Sequence, residues 1–290
     1  MPVRLGIFTS GRRDWNVERL REEALRRGWE CHEFPLQGVV ARLGERPRVT
    51  CLGRDLEEFD LLLVRWVPKG SAEQLVFRMD VLHRLENLGI RVVNPPSSIE
   101  RCADKFYTNS LLEDAGLPVP PTVVTERREE ARRAFEGYGE VVVKPLFGSL
   151  GAGMLRVKEG DLAYRLFSVL EYGRHVYYVQ KFIPHGNWDL RILVIGERTL
   201  GMRRVGRDWK TNVSAGALPE PWEPDEESRE MALRAAEVVG CEYAGVDLLV
   251  GEDGRKYVVE VNAIPGWKGM QSVRRENVAS LLLDHLEGKG

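Results

Sequence analysis

Residues 245–262 read GVDLLVGEDGRKYVVEVN, two apolar runs joined by Asp253-Gly254. Asp-Gly between such runs is a strong hairpin signal, because a type I′ turn needs positive φ at both central positions. A turn centred on those two residues places Asp247 directly opposite Glu260, with Asn262 on the Glu260 face. Leu248, Val250, Tyr257, Val259 and Val261 then form the other, core-facing surface. Two carboxylates about 5 Å apart repel by roughly 3 kcal/mol at an effective dielectric near 20, so something must offset the charge. Oxygen donors from two acids and an amide suit Mg2+. A solvated edge, or a lysine or arginine that neutralises the acids, would serve equally.

Upstream, residues 140–154 read EVVVKPLFGSLGAGM, in which Lys144 ends a buried strand and Gly148, Gly151 and Gly153 follow. The stretch lacks a P-loop pattern, and a strand follows the glycines where a dinucleotide-binding turn needs a helix. A glycine-rich link between strands can fold over phosphates, its amides approaching closely and the lysine adding charge; a flexible hairpin loop with a surface lysine is the alternative. Lys105 opens a helix, where it can reach an anion at the helix N-terminus. Asp189 and Arg191 share one face of a strand, Arg203-Arg204 fall on the next strand, and Lys210 and Asn212 follow in a polar loop. Each of these is also compatible with an ordinary solvated charge. Arg65 ends an apolar strand, where open α/β sheets place ligand crevices. None of the 5 histidines has metal-ligand or triad spacing and Ser149 has no partner base, which argues against zinc and serine-hydrolase chemistry.

The chain has 290 residues, 43% hydrophobic and 30% charged, with a net charge of −2. That composition supports a packed core and two or three domains, and disfavours a nucleic-acid or anionic-membrane binder. No apolar run is long enough to span a membrane, and the 4 cysteines are scattered, as expected for free thiols in a reducing cytoplasm. Strands at Val3–Phe8, Asp60–Trp66 and Ile90–Val93 alternate with a helix capped by Asp14 and an amphipathic helix over Ser71–Asn87, the pattern of a doubly wound parallel sheet. Asn94–Ser98 marks the first boundary, and the last third is strand-rich, closed by a helix over Ser272–Leu286.

In order and spacing the segments VVNPPSSIERCADKFYTNSLLEDAGLPVPPT, VVVKPLFGSLGAGM, YVQKFI, DLRILVIGE, MRR, WKTN, GVDLL and VEVNAIPGWKG resemble the RimK-type carboxylate–amine ligases of the ATP-grasp superfamily. The resemblance runs from about Val92 to Gln271. It implies an α/β fold, α+β in its C-terminal part. The parts are an N-terminal α/β domain (1–95), a linker helix with a central lid (96–175) and a C-terminal nucleotide and metal domain (176–290). By the resemblance, Lys105 and Lys144 contact ATP phosphates under the Gly148–Gly153 loop, which includes Ser149 and Gly151. Gln180, Lys181, Phe182 and Ile183 form the adenine hinge, with Asp189 a candidate for the ribose. Asp247, Glu260 and Asn262 hold two Mg2+ ions, with Mn2+ an alternative. Arg191 and Arg203 face the transferred phosphate, with Lys210, Asn212 and Arg65 near the substrates.

The chemistry implied is ATP-dependent amide formation through an acylphosphate. The ending NAIPGWKG favours ligases that add glutamate to a small-molecule carboxylate, including those acting on tetrahydromethanopterin, or to a peptide. An amino-acid or protein-terminus ligase and a non-catalytic ATP-binding regulatory module are the alternatives, and a homo-oligomer is compatible with the sequence. The hinge reads Gln180-Lys181 where relatives carry Gln-Glu, and Ala215-Gly216-Ala217 stands where many have Arg-Gly-Gly. Trp267 is expected to pack against the core, with stacking on a flat ring the alternative.

Overall fold

A computed structural model of the chain describes residues 2–148, 153–211 and 216–288. Strands β1 (Arg4–Thr9) and β2 (Glu30–Pro35) flank helix α1 (Trp15–Arg26), whose first turn is capped by Asp14 accepting from the Asn16 and Val17 amides. A small antiparallel sheet of β3 (Val39–Ala41), β4 (Val49–Cys51) and β5 (Arg54–Asp55) interrupts the pattern. It resumes with β6 (Leu61–Val64), α2 (Ala72–Asn87) and β7 (Arg91–Val93). Ser71 and Gln74 close a capping box on α2. The larger sheet is parallel in the order β2-β1-β6-β7, as the alternating pattern requires.

The expected helix that Lys105 opens is α4 (Lys105–Asp114), capped by the Asp104 side chain, and the Pro/Ser segment read as a boundary is itself helical, α3 (Pro96–Ala103). Next come β8 (Thr122–Thr125), α5 (Arg128–Tyr138), β9 (Val141–Lys144), β10 (Leu155–Val157), α6 (Gly160–Tyr172) and β11 (Tyr177–Lys181). These strands make one antiparallel sheet, β10-β9-β11-β8, so the central sheet reaches Lys181, past the boundary expected at 175/176.

The C-terminal sheet is antiparallel, in the order β14-β13-β12-β15-β16. Its strands are β12 (Trp188–Ile195), β13 (Arg198–Val205), β14 (Leu218–Pro221), β15 (Tyr243–Val250) and β16 (Lys256–Asn262), with α7 (Glu226–Val239) packed on one face. The expected closing helix is interrupted: α8 (Lys268–Val273) ends inside it and α9 (Val278–Glu287) starts anew, where Asn277 provides a fresh cap. Among the described residues no helix is long and apolar enough to cross a membrane.

Leu5, Ile7, Leu61 and Leu63 of the parallel sheet share a core with Leu193, Met202, Tyr243, Trp267 and the apolar face of α9. The first and last parts of the chain are therefore joined by common burial, whereas the central sheet closes its own core around Phe167, Tyr177 and Val179. Fully buried Asn94, just after β7, fastens that joint. Its Nδ2 donates to the Tyr243 and Ala263 carbonyls at 2.7 and 2.6 Å, and its Oδ1 accepts from the Glu242 and Tyr243 amides at 2.8 and 3.2 Å. Every hydrogen-bonding position of the amide is used. Asn94→Leu should lower the unfolding free energy by about 2–4 kcal/mol in urea titration, because it strands buried backbone groups; a loss under about 1 kcal/mol would refute the clamp.

Candidate active site

The site face of the C-terminal sheet is set by strand alternation. Asp189 and Arg191 on β12 oppose Arg204 and Met202 on β13, Arg191 opposes Asp247 on β15, and Asp247 opposes Glu260 on β16. The expected pairing of the two acids is present, but the turn is not the expected one. The Gly251 amide donates to the Arg255 carbonyl across a three-residue loop, with Gly254 at φ +79. That loop shifts the register by one residue, and a bulge between Asp247 and Leu248 restores it. The bulge brings Val258, rather than the expected Val259, into the core with Leu248 and Val261.

Arg191 grips Asp247 with two parallel bonds, Nε to Oδ1 at 2.6 Å and Nη2 to Oδ2 at 2.7 Å. Arg204 donates to the same Oδ2 at 2.9 Å and pairs with Asp189 at 2.7 and 2.5 Å. Thr211 donates its hydroxyl to Asp189 as well. Asp189, Arg204 and Asp247 are all buried. Burial alone would raise the Asp247 carboxyl, but Arg191 and Arg204 outweigh it and hold the group below its usual range.

Glu260 makes no hydrogen bond or ion pair with any described residue. Burial, and then the Asp247 charge, push its carboxyl up, opposed by Arg191, Lys105 and Lys144. Those lysines arrive from other parts of the fold. Lys105, in the first turn of α4, donates to the Gly148 carbonyl at 2.7 Å, and Lys144 ends β9. Burial lowers both ammonium groups, Lys144 to about 8, with Glu260 the largest opposing influence on each.

The arrangement revises several expectations. Arg203 leaves the cluster, because it opposes Leu190 on the other face and pairs with half-exposed Glu220. Its neighbour Arg204 is the arginine of β13 that joins the cluster. Asp189 is committed to Arg204 and Thr211 rather than open to a sugar hydroxyl. Gln180 is buried, with its amide turned to Thr122, and the Phe182 amide donates to the Glu140 carbonyl. Lys181 is exposed, and the Ile183 carbonyl accepts from His185 in one tautomer. Lys210 places its ammonium 5.3 Å from the Trp209 ring. Arg65 is buried in the joint between the domains, bonded to the Tyr243 hydroxyl at 2.8 Å and stacked 4.6 Å over Trp267. Trp267 is thus a core residue. Gly153 is exposed at φ +79, and Ser149, Gly151 and Asn212 lie outside the described residues.

The donor set tests the metal expectation. Glu260 has both oxygens open, and Asn262 Oδ1 accepts one bond, from the Ile264 amide at 2.9 Å, leaving a lone pair. Asp247 retains capacity only on Oδ1, since Oδ2 already accepts twice. One hard cation fits Glu260 with help from Asn262 and Asp247. Asp247 would join such a set only through that open position on Oδ1, its Oδ2 being taken up by Arg191 and Arg204.

Arg204→Met should destabilise the fold by about 3–5 kcal/mol, since it abandons two buried carboxylates, whereas Arg203→Met should cost about 1 kcal/mol or less at its exposed pair. Paired urea titrations read the difference, and equal losses would sink the assignment of Arg204 to the cluster.

Residues 3–99 match the model of the RimK PreATP-grasp domain, and residues 102–286 that of the RimK-like ATP-grasp domain. The tetrahydromethanopterin:alpha-L-glutamate ligase of Methanocaldococcus jannaschii is 39% identical over 80% of both chains. That of Methanococcus maripaludis is 31% identical over 97% of both. Among solved structures, the ATP-grasp ligase PsnB complexed with a minimal precursor superposes with a TM-score of 0.80 at 23% identity, covering 100% of this chain and 99% of that one. Paired domain models in sequence order, full-length relatives and a common architecture agree: the chain belongs to the RimK-like ATP-grasp family.

Proposed function

We propose that the chain is an ATP- and Mg2+-dependent carboxylate–amine ligase that adds L-glutamate to a carboxylate of a tetrahydromethanopterin-like cofactor or a peptide, releasing ADP and phosphate. The observation that carries this reading is Glu260, an unpartnered carboxylate under the charge of two lysines delivered by separate elements, Lys105 from α4 and Lys144 from β9. A nucleotide triphosphate with its cation satisfies all three at once. The relatives named above support the choice of glutamate and acceptor class.

The carboxylate of the acceptor is a poor acylating agent until it takes the γ-phosphoryl group of ATP. The amine of glutamate then attacks the acylphosphate, the carbonyl passes through a tetrahedral oxyanion, and phosphate departs. Catalysis consists of positioning and charge neutralisation. Lys105 and Lys144 neutralise phosphate oxygens, and the hinge at 180–183 takes the adenine. Arg191, oriented by its two bonds to Asp247, meets the transferred phosphate and the oxyanion. Glu260, Asn262 and the open side of Asp247 would hold Mg2+, which would supply positive charge to the phosphate oxygens. We assign the Gly148–Gly153 loop to exclude water, which would hydrolyse the acylphosphate. Lys210 and Asn212 are assigned to the substrates from the sequence, and the reaction to the cytosol.

ADP release by the purified chain should require ATP, Mg2+, an acceptor carboxylate and glutamate together, across a panel of carboxylates and amines. Nucleotide turnover indifferent to both substrates would overturn the reading. Glu260→Gln should cut kcat by about a thousandfold or more while leaving the thermal midpoint within a few degrees. Near-normal turnover of that variant at limiting Mg2+ would remove Glu260 from the metal site.

The Lys144 ammonium, held near 8 in the free protein, must be charged to bind phosphate, and binding raises its pKa. The Kd for ADP should therefore be flat below pH 8 and weaken by up to about tenfold per pH unit above it. Lys144→Arg should flatten this profile, and an unchanged slope in that variant would assign the dependence to another group.

A further inference from the structure

Cys102, near the end of α3, and Cys241, directly after the Gly240 that ends α7, bring their sulfurs to 3.8 Å although 139 positions separate them in sequence. Neither belongs to the site described above. Their meeting is enforced by groups other than the sulfurs. Ser98 Oγ donates to the Gly240 carbonyl at 2.7 Å, and Arg101 Nη1 reaches the Val239 carbonyl at 3.4 Å. Asn94 binds the backbone of Glu242 and Tyr243. The approach is so close that a Cβ on Gly240 would meet Ser98 Oγ at 2.9 Å. Both flanking segments are therefore pinned, and rotation about the side-chain torsions can carry the sulfurs the remaining distance, under about 2 Å, to a bond.

The geometry points to Cys102 and Cys241 as the two halves of a reversible disulfide, formed by exchange with a low-molecular-weight disulfide. One protein thiolate attacks a sulfur of that oxidant, releasing its first thiol and forming a mixed disulfide; the second protein thiolate then displaces the other half. Two protein S–H bonds break and one S–S bond forms. The oxidant gains two electrons and two protons and leaves as two thiols. The hydrogen bond with Cys102, and then burial, push the Cys241 thiol well up, so thiolate is scarce at neutral pH and exchange is slow. The bond acts as a stabilising tie rather than a rapid sensor. It joins the turn that precedes α4, and hence Lys105, to the C-terminal sheet, and restricts the unfolded chain over a long loop. Of the other cysteines, Cys51 donates to the Pro35 carbonyl and Cys31 lies on β2.

Incubating the full chain with oxidised glutathione, then alkylating under denaturing conditions, should reduce the titratable thiols from four to two. Peptide mass mapping should join Cys102 to Cys241. The thermal midpoint should rise by about 5–10 °C and return on reduction. Cys102→Ser and Cys241→Ser should each fold with the reduced midpoint and lose the redox-dependent rise, while Cys31→Ser keeps it. Four intact thiols after oxidation, or a link involving Cys31 or Cys51, would overturn the proposal. A Cys102–Cys241 bond with an unchanged midpoint would overturn its stabilising role.

Discussion

One buried guanidinium shared between two buried carboxylates underlies the architecture of the site. Arg204 lies between Asp189 and Asp247, and none of the three can be removed without leaving an uncompensated charge in a medium that solvates charge poorly. Everything reactive is arranged around that balance. Asp247 has enough negative character left to orient Arg191, Thr211 ties the following loop to Asp189, and the excess acid at Glu260 is left for something brought from outside.

The second constraint is how the parts of the chain are attached. The parallel sheet and the C-terminal sheet share one core, locked by Asn94 and by Arg65 stacked on Trp267. The central sheet has its own core, so Lys144 reaches the acid pair from an element that is packed separately. Lys105 bridges the two regimes, since it stands on α4 and holds the carbonyl of Gly148. A nucleotide clasped there would draw together units that apolar packing alone leaves less tightly joined.

Much of this was legible from the residues. Strand alternation, the cap at Asp14 and helical apolar spacing gave most elements, because apolar periodicity and N-cap chemistry are local. The facing of Asp247 and Glu260 was also legible, although through two compensating departures: a longer loop shifts the ladder and a bulge shifts it back. The same reasoning applied to the Gly196-Glu197 turn would have set Asp189 against Arg204 and excluded Arg203, so that error lay in the reading, not in the signal. The burial of Arg65 was not legible, since it depends on Tyr243 and Trp267, which are far away in sequence. Nor was helix α3 within the Pro/Ser stretch read as a boundary, or the break before Asn277, where a capping side chain begins a new helix.

The bulge beside Asp247 works as a phase corrector for the hairpin. By absorbing the one-residue offset, it lets a three-residue loop stand at the hairpin tip without turning Asp247 or Glu260 off the face they share.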